Sequence, residues 1–374
     1  MKKTAVLLLF VLIPFLYACE IIESDDTTDD SPVAENGDGS IDDEDVPEYD
    51  TEDGDGYYPI EDFSLLTGMT EAQLREHYEQ NYGNSSSYDE AVTGFNIEAR
   101  EPGTMTQAGL DDFRRRTNFF RSFYQLPPVG DPDSGINEKC QEAALSMIVE
   151  NNISHYPLND GFTYANETAQ EAASQSNLAI AWSSSSFDYT QLLDNLVMDI
   201  GVPSTGHRRW FLLPGQKGAG YGYLYNTNAP TYGNADVLIQ WVFDYDIDTE
   251  YDLPVPYPPA GAYPLEFTVG SNSRLVDFSL YWYGASFTGC TVSMTDQDGD
   301  TIPLEITHKE AHSQSDFPPA ALIWTPDTLP AAGDEWTVEI SGITGKDTSS
   351  LSYTITFIDL GVSRTPGSSR RILR

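Results

Sequence analysis

A long acidic run near the N-terminus limits which part of this chain can fold. From Glu20 to about Gly56 the chain consists mainly of Asp, Glu, Ser, Thr and Gly, and it has no Lys or Arg. Such a composition buries too little apolar surface to offset the loss of chain entropy on folding, and its like charges repel one another. We therefore predict a disordered acidic tether over residues 19–56. Folded structure must come from the roughly 300 residues that follow it, which is enough chain for two ordinary domains.

Residues 1–18 have the features of an export signal. Lys2 and Lys3 precede an apolar run from Ala5 to Leu16, which is too short to span a membrane well. Cys19 directly follows Leu-x-Ala, and this arrangement resembles the lipobox of bacterial lipoproteins, in which the cysteine is acylated. We expect an extracytoplasmic protein of the bacterial cell envelope, anchored to the lipid bilayer through acylated Cys19. An ordinary cleaved signal with an incidental cysteine is the alternative.

The net charge limits which partners the chain can bind, and the positions of the cysteines indicate their redox state. The formal net charge is −40 at pH 7, so phosphate backbones and anionic head groups repel the chain, and we expect no nucleic-acid partner. Cys140 lies on a predicted helix, and Cys290 lies in a predicted strand of another domain. The two thiols could pair in an oxidising compartment, but their separate positions favour two buried free thiols.

Residues 105–250 carry the pattern of helices followed by strands. Apolar side chains recur at spacings of three and four from Thr106 until Pro127 and Pro128, which is typical of an amphipathic helix. The same criteria predict a helix over about Asn137–Ser154, and His155 continues the apolar stripe of this helix. A further helix begins at the N-cap Asn166 and includes Leu178, and another covers about Tyr189–Ile200. Strands are predicted over Gly218–Tyr225 and Val237–Phe243. This order indicates helices flanking an antiparallel sheet in an α+β fold.

The segments on either side of this region differ from it in character. Residues 57–104 are predicted to be transitional and loosely packed, with one short helix from the N-cap Thr70 to about Tyr82. Four prolines predict a stiff linker over 251–262, and a basic tail covers 361–374. Residues 263–360 hold short β-rich runs typical of an immunoglobulin-like β-sandwich. The predicted strands are Leu265–Val269, Leu275–Trp282, Cys290–Thr295, Thr301–Ile306, Ala321–Thr325, Trp336–Ser341 and Leu351–Ile358.

The stretch Thr205–Pro214, with the sequence TGHRRWFLLP, carries a family resemblance. Together with the glycine-rich GAGYG that begins at Gly218, it resembles the histidine motif of the CAP domain, the domain of cysteine-rich secretory proteins, antigen 5 and plant pathogenesis-related proteins. The resemblance covers about residues 106–246. It implies an α/β/α sandwich of the CAP type, followed here by the immunoglobulin-like β-sandwich.

The resemblance also implies a cleft lined by two histidines and acidic residues. Gly206-His207-Arg208 matches the second histidine segment, and Ser154-His155-Tyr156 resembles the first. Tyr164-Ala165-Asn166-Glu167 resembles the Gly-Glu-Asn segment of the family, and Glu167 stands for the first acid; here the glycine is replaced and the asparagine precedes the acid. Asp199 is the nearest candidate for the second acid. Imidazole and carboxylate ligands suit Zn²⁺ or another divalent cation, so the cleft is either a metal site or a polar cleft without metal.

Three functions remain open from the sequence. The first is a surface-displayed binding module that recognises a lipid, a glycan or a protein. The second is a metal-dependent hydrolase of envelope material, with His155 and His207 as ligands and Glu167 as general base. The third is a structural, adhesin-like spacer with a vestigial cleft. The chain has no Gly-x-Ser-x-Gly elbow, phosphate loop, HExxH or Cys-x-x-Cys motif, so Glu167 of the hydrolase hypothesis is the one candidate catalytic residue.

Overall fold

The computed structural model describes residues 64–83, 85–183, 188–230, 233–245, 253–270, 274–311 and 318–361. The predicted signal over 1–18, the acidic tether with Cys19, and all but the first residue of the basic tail lie outside these residues. Within the described part of the chain, no helix is both long enough and apolar enough to span a membrane. All described residues belong to one compact unit.

The first part of this unit mixes helices with short strands. Its elements are α1 (Glu71–Asn81), α2 (Tyr88–Ala91), β1 (Val92–Thr93), β2 (Thr104–Met105), α3 (Gln107–Ser122), α4 (Ile136–Glu150), α5 (Glu167–Ser174), β3 (Ser176–Ser183), α6 (Gln191–Met198), α7 (Gly206–Phe211), β4 (Gly220–Ala229) and β5 (Gly233–Trp241). Strands β3, β5 and β4 form an antiparallel sheet in that order. Helices α4 and α5 cover one face of this sheet, and α3 and α6 pack on the other.

Strand β4 shows why helices can pack on both faces of the sheet. Successive side chains of a strand point to opposite faces, so Gly220 and Gly222 share one face while Tyr221 and Tyr223 share the other. A Cβ atom on Gly222 would lie 2.3 Å from the backbone of Cys140, so only glycine lets α4 approach this closely. On the opposite face Tyr221 stacks on Phe113 of α3, with ring centroids 5.4 Å apart.

Two four-stranded sheets that face each other form the second part of the unit. The strands are β6 (Val255–Tyr257), β7 (Gly261–Pro264), β8 (Phe278–Trp282), β9 (Thr291–Thr295), β10 (Leu304–Lys309), β11 (Ala320–Pro326), β12 (Glu335–Ser341) and β13 (Ser350–Ile358). The sheet orders are β10-β11-β8-β6 and β7-β13-β12-β9, and the β13–β7 pair is parallel. Large side chains fill the space between the sheets, where the indole N–H of Trp324 donates to the sulfur of Met294.

The α+β character of the fold is confirmed, and most predicted elements are present, but several predictions were wrong. Residues 255–264, within and beside the predicted linker, form β6 and β7 and are almost all buried. Prolines fit there because both strands lie at sheet edges, where a backbone N–H is not required. Leu265–Phe267 is a 3-10 helix, not a strand. Residues 176–183 are a strand and not part of the helix that starts at Glu167.

In the segment before α3, helix α1 packs against the rest of the unit, contrary to our expectation of loose packing, whereas residues 93–104 are mostly exposed. Helix α1 is confirmed, and Thr70 and Gln73 form a capping box at its start. Leu74 and His77 of α1 are fully buried. The Met69 carbonyl accepts the Ala262 N–H at the edge of β7, so this segment joins the second part of the unit. Residues 57–63 lie outside the described residues. Cys140 and Cys290 are both buried and unpaired, as predicted.

Candidate functional site

The short helix α7 holds the histidine motif and begins with an unusual backbone conformation. Thr205, directly before the helix, has φ = +47°, a left-handed value that β-branched residues seldom adopt. The Tyr281 hydroxyl donates to its side-chain oxygen at 2.6 Å. A contact from the second part of the unit therefore stabilises the turn that starts α7.

His207 is oriented by Asp199. The Nδ1–H of His207 donates to Oδ1 of Asp199 at 2.7 Å, and the backbone N–H of Arg208 donates to Oδ2 at 3.2 Å. Asp199 has φ = +50° at the end of α6, and its side chain is fully buried. Burial by itself would lower the pKa of His207, but the Asp199 carboxylate outweighs this effect and the pKa is raised. The pair therefore favours a protonated His207 more than an isolated histidine would.

His155 lies close to His207 but in a different environment. Asn151 takes a left-handed conformation and ends α4 at Glu150, so His155 lies in the following turn and not on the helical stripe. Its Nδ1–H donates to the carbonyl of Ala173, near the end of α5, at 2.7 Å. Desolvation lowers the pKa of His155 despite this hydrogen bond, and the charge of His207 lowers it further. Although its ring is hydrogen-bonded to Ala173, the residue as a whole is exposed to solvent. The two histidines thus have pKa values shifted in opposite directions.

The Nε2 atoms of both imidazoles have no hydrogen-bond partner among the described residues. Each Nδ1 atom is already occupied by an oxygen acceptor, which fixes the tautomer of the neutral ring. An outer hydrogen bond of this kind is also usual for histidines that bind metals. Structural and catalytic zinc sites, however, use at least three protein ligands. Within the described ranges no three His, Cys, Asp or Glu side chains form a group that could bind a metal ion. The residues present therefore do not fit a three-ligand zinc site.

The two predicted acids occupy different places. Asp199 reaches the site, but it orients His207 through Nδ1. Glu167 is the first residue of α5 and is exposed. Ala173, which binds His155, lies six positions further along the same helix, about 9 Å away at 1.5 Å per residue. The structure therefore brings together His155, His207 and Asp199, and Glu167 lies at the other end of α5.

Arg208, directly after the second histidine, is a structural residue. Its guanidinium donates to the carbonyls of Val197, Met198 and Asp277 and to the Ser279 hydroxyl, at 2.6–3.0 Å. It also lies over the Tyr257 ring, 3.8 Å from the centroid. Arg208 is fully buried. Its contacts extend from the end of α6 to strands β6 and β8, so it joins the helical part to the facing sheets.

Arg209 makes a second link to the facing sheets. Its two terminal nitrogens donate to the two carboxylate oxygens of Glu310 at 3.1 and 2.9 Å. Glu310 also accepts from His308 and from the backbone N–H of Ala321. Burial raises the pKa of Glu310, but these three partners outweigh burial and bring it from 4.5 to about 2. Both arginines of the motif therefore serve cohesion, which the sequence did not reveal.

Sequence reasoning also missed Asn177, which supports α7 from β3. Its side-chain amide nitrogen donates to the carbonyl of His207 at 3.0 Å and to the side-chain oxygen of Gln240 at 3.2 Å. The signal was ambiguous because a short apolar run such as Ser176–Ser183 reads equally as a buried strand or as a helix segment.

Comparison with models of protein families and with curated proteins gave no match to this chain. The fold and the site therefore stand on their own geometry: a mixed α/β chain with a histidine pair beside a buried joint.

Proposed function

We propose that this protein is an extracytoplasmic, lipid-anchored binding module that recognises a polar group of a lipid, glycan or protein ligand at the His155–His207 cleft. Anchoring through acylated Cys19 is part of this proposal, as is an acidic tether that holds the folded unit away from the bilayer. The buried arginine joint supports the view that the two parts act as one recognition unit.

The proposal includes the finer fold assignment. A CAP-like identity for residues 105–250 is supported by helices on both faces of a small antiparallel sheet and by the GHRR motif at the cleft. An immunoglobulin-like identity for the facing sheets is supported by strand order. With β6, β8, β9, β10, β11, β12 and β13 taken as strands A to G, the sheets correspond to ABED and CFG. Here β7 adds one parallel strand beside G.

The observation that carries the binding function is the state of the two histidines. One imidazole favours the proton and the other favours the neutral form, and neither Nε2 atom has a hydrogen-bond partner among the described residues. Such a pair offers one hydrogen-bond donor and one acceptor, which suits a hydroxyl, a phosphate ester or an amide of a ligand. The hydrolase alternative has less support because Glu167 lies about 9 Å along α5 from the residue that binds His155.

Binding by matched histidine variants tests the proposal. The purified protein is applied to phosphatidylcholine vesicles, to a glycan array and, by calorimetry, to Zn²⁺. We expect the vesicles or at least one glycan to bind wild type and the His308→Ala control alike, and to bind His155→Ala/His207→Ala at least tenfold more weakly. Equal binding by the double variant would remove the cleft from recognition. Stoichiometric Zn²⁺ binding, with hydrolysis lost in Glu167→Gln, would favour the enzyme instead.

A further inference from the structure

A second cleft lies between α2 and the β4–β5 pair. It has a volume of about 270 Å³, and it is lined by Tyr88, Tyr225, Asn226, Thr227, Asn234 and Asp236. Asp236 precedes Gln240 by four positions on β5, about 14 Å at 3.4 Å per residue. Since Gln240 lies beside Asn177 and the α7 backbone, this cleft is distinct from the histidine cleft.

Asp236 gives the cleft a buried hydrogen-bond acceptor. The residue is only 8% exposed, and its Oδ1 accepts the hydroxyl proton of Tyr223. Its Oδ2 has no hydrogen-bond partner among the described residues. Burial raises the pKa of Asp236 from 3.8 to about 6, although the Tyr223 hydrogen bond opposes this rise. Burying an ionised carboxylate costs free energy, so its second oxygen needs a hydrogen bond from a ligand or from water.

Aromatic rings form a firm wall beside this carboxylate. Tyr88 and Tyr225 contact each other nearly at right angles, with centroids 4.6 Å apart. Phe95 supports Tyr225 from another side, with centroids 5.1 Å apart. Tyr88 and Tyr225 are each half-buried, so part of each ring remains accessible. Rings fixed in this way offer an apolar surface that loses little conformational entropy on binding.

Two amides add hydrogen-bond donors. The Asn226 carbonyl oxygen accepts from the Asn228 N–H, which leaves the Asn226 NH₂ group without a described partner. The Asn234 side chain likewise has no described hydrogen bond. The lining has no Lys or Arg, and the Asp236 carboxylate repels anions. A cation would satisfy Asp236 but would leave the amide donors unused. Hydroxyl groups, which both donate and accept, match the whole set.

We propose that this cleft binds one neutral sugar residue of a glycan, with Asp236 accepting from sugar hydroxyls, Asn234 donating to them and the tyrosine rings packing against the apolar C–H face. The volume lies slightly below the ~300 Å³ at which small-molecule pockets begin, so it admits one ring-sized group. This site goes beyond the proposed histidine function and can fail independently of it.

Saturation-transfer NMR on the purified protein tests this site. The probes are the methyl glycosides of glucose, galactose and N-acetylglucosamine, with choline and glucuronate as charged comparators. We expect transfer from at least one neutral glycoside. Its affinity should fall at least tenfold in Asp236→Asn, which retains an acceptor for Tyr223, and several-fold in Asn234→Ala.

Two controls separate this site from others. Asp298→Asn, in an exposed turn of the facing sheets, and His155→Ala/His207→Ala should bind the glycoside as wild type does. Should Asp236→Asn fail to fold, the Asn234→Ala result decides. The sugar site is wrong if no neutral glycoside binds, if the folded cleft variants bind as wild type does, or if choline or glucuronate binds more tightly than every neutral glycoside.

Discussion

The two ends of the three-stranded sheet treat buried charge in opposite ways. At the α7 end, Arg208 and Asp199 are fully buried and every described contact of their charged groups is with a fitted partner. At the other end, Asp236 is almost as deeply buried, yet one carboxylate oxygen faces a cleft without a described partner. The charged groups at the two ends are thus buried to a similar degree, but only those at the α7 end have all their hydrogen-bonding needs met. The difference teaches that the GHRR end serves cohesion, whereas the Asp236 end retains an acceptor that the ligand proposed above would use.

The strongest test of this contrast removes Arg208. Arg208→Ala leaves three carbonyls and one hydroxyl without their hydrogen-bond donor and opens a cavity. We expect it to lower the free energy of unfolding by about 3–5 kcal/mol. Arg75→Ala is the matched control, since its ion pair with Glu71 is about half exposed, and it should cost less than about 1 kcal/mol. Denaturant unfolding measures both. Equal losses would contradict a joint centred on Arg208.

The second test should act in the opposite direction. Asp236→Asn removes a carboxylate whose pKa rises from 3.8 to about 6 on folding. Wild type should therefore lose stability through this group as pH rises from 3.8 to 6, with no further loss above 6. The variant avoids this loss, so relative to wild type it should gain about 2–3 kcal/mol between pH 4 and pH 7. Unfolding across that range measures the gain, and a constant difference would show that Asp236 is not destabilising.

The Arg209–Glu310 pair should be weaker than the Arg208 joint because part of it is accessible to solvent. A double-mutant cycle with Arg209→Ala and Glu310→Gln should give a coupling of about 1–2 kcal/mol at pH 7. Folding lowers the pKa of Glu310 from 4.5 to about 2, so this stability is present above pH 4.5 and declines as pH falls toward 2. A coupling that stayed unchanged at pH 2.5 would rule out a charged pair.

The smallest effect is on ionisation at the histidine cleft. Asp199→Asn should lower the pKa of His207, because the carboxylate is what raises it. The raised pKa contributes stability below pH 6.5 that is lost as pH rises through the folded value, so the variant should lose stability mainly at low pH. An NMR titration of the imidazole signals measures both histidines, with His155 expected to keep a lowered pKa. An unchanged pKa of His207 in the variant would show that Asp199 orients the ring without affecting its charge.

The sequence predicted elements wherever a local signal was strong. Helix α1 followed from its cap at Thr70, α3 from its apolar spacing, and α5 from its cap at Asn166. Elements that depended on a distant partner were predicted less well. Strand β3 read as helix, and β6 read as linker because its prolines look like spacer residues until a sheet edge accommodates them.

The site divided along the same line. His155, His207 and Asp199 were predicted as neighbours on the strength of a resemblance, and the structure brings them together. Glu167 was also predicted there, but α5 carries it about 9 Å from the residue that binds His155. Neither the joint made by Arg208 nor the cleft at Asp236 was foreseen, because their partners are backbone carbonyls and distant rings that leave no local pattern.

By itself the sequence determined the α+β class, the acidic character and most helix starts. These follow from spacing, capping and composition, which act over a few residues. That His155 and His207 lie near each other was predicted from the family resemblance. Only the tertiary structure decided that the GHRR arginines hold two parts together, that Glu167 is distant and that Asp236 retains an unmatched oxygen. Each of these depends on which groups come into contact across the fold. Such contacts carry large free energies only after the chain has packed, because polar groups lose their water on burial.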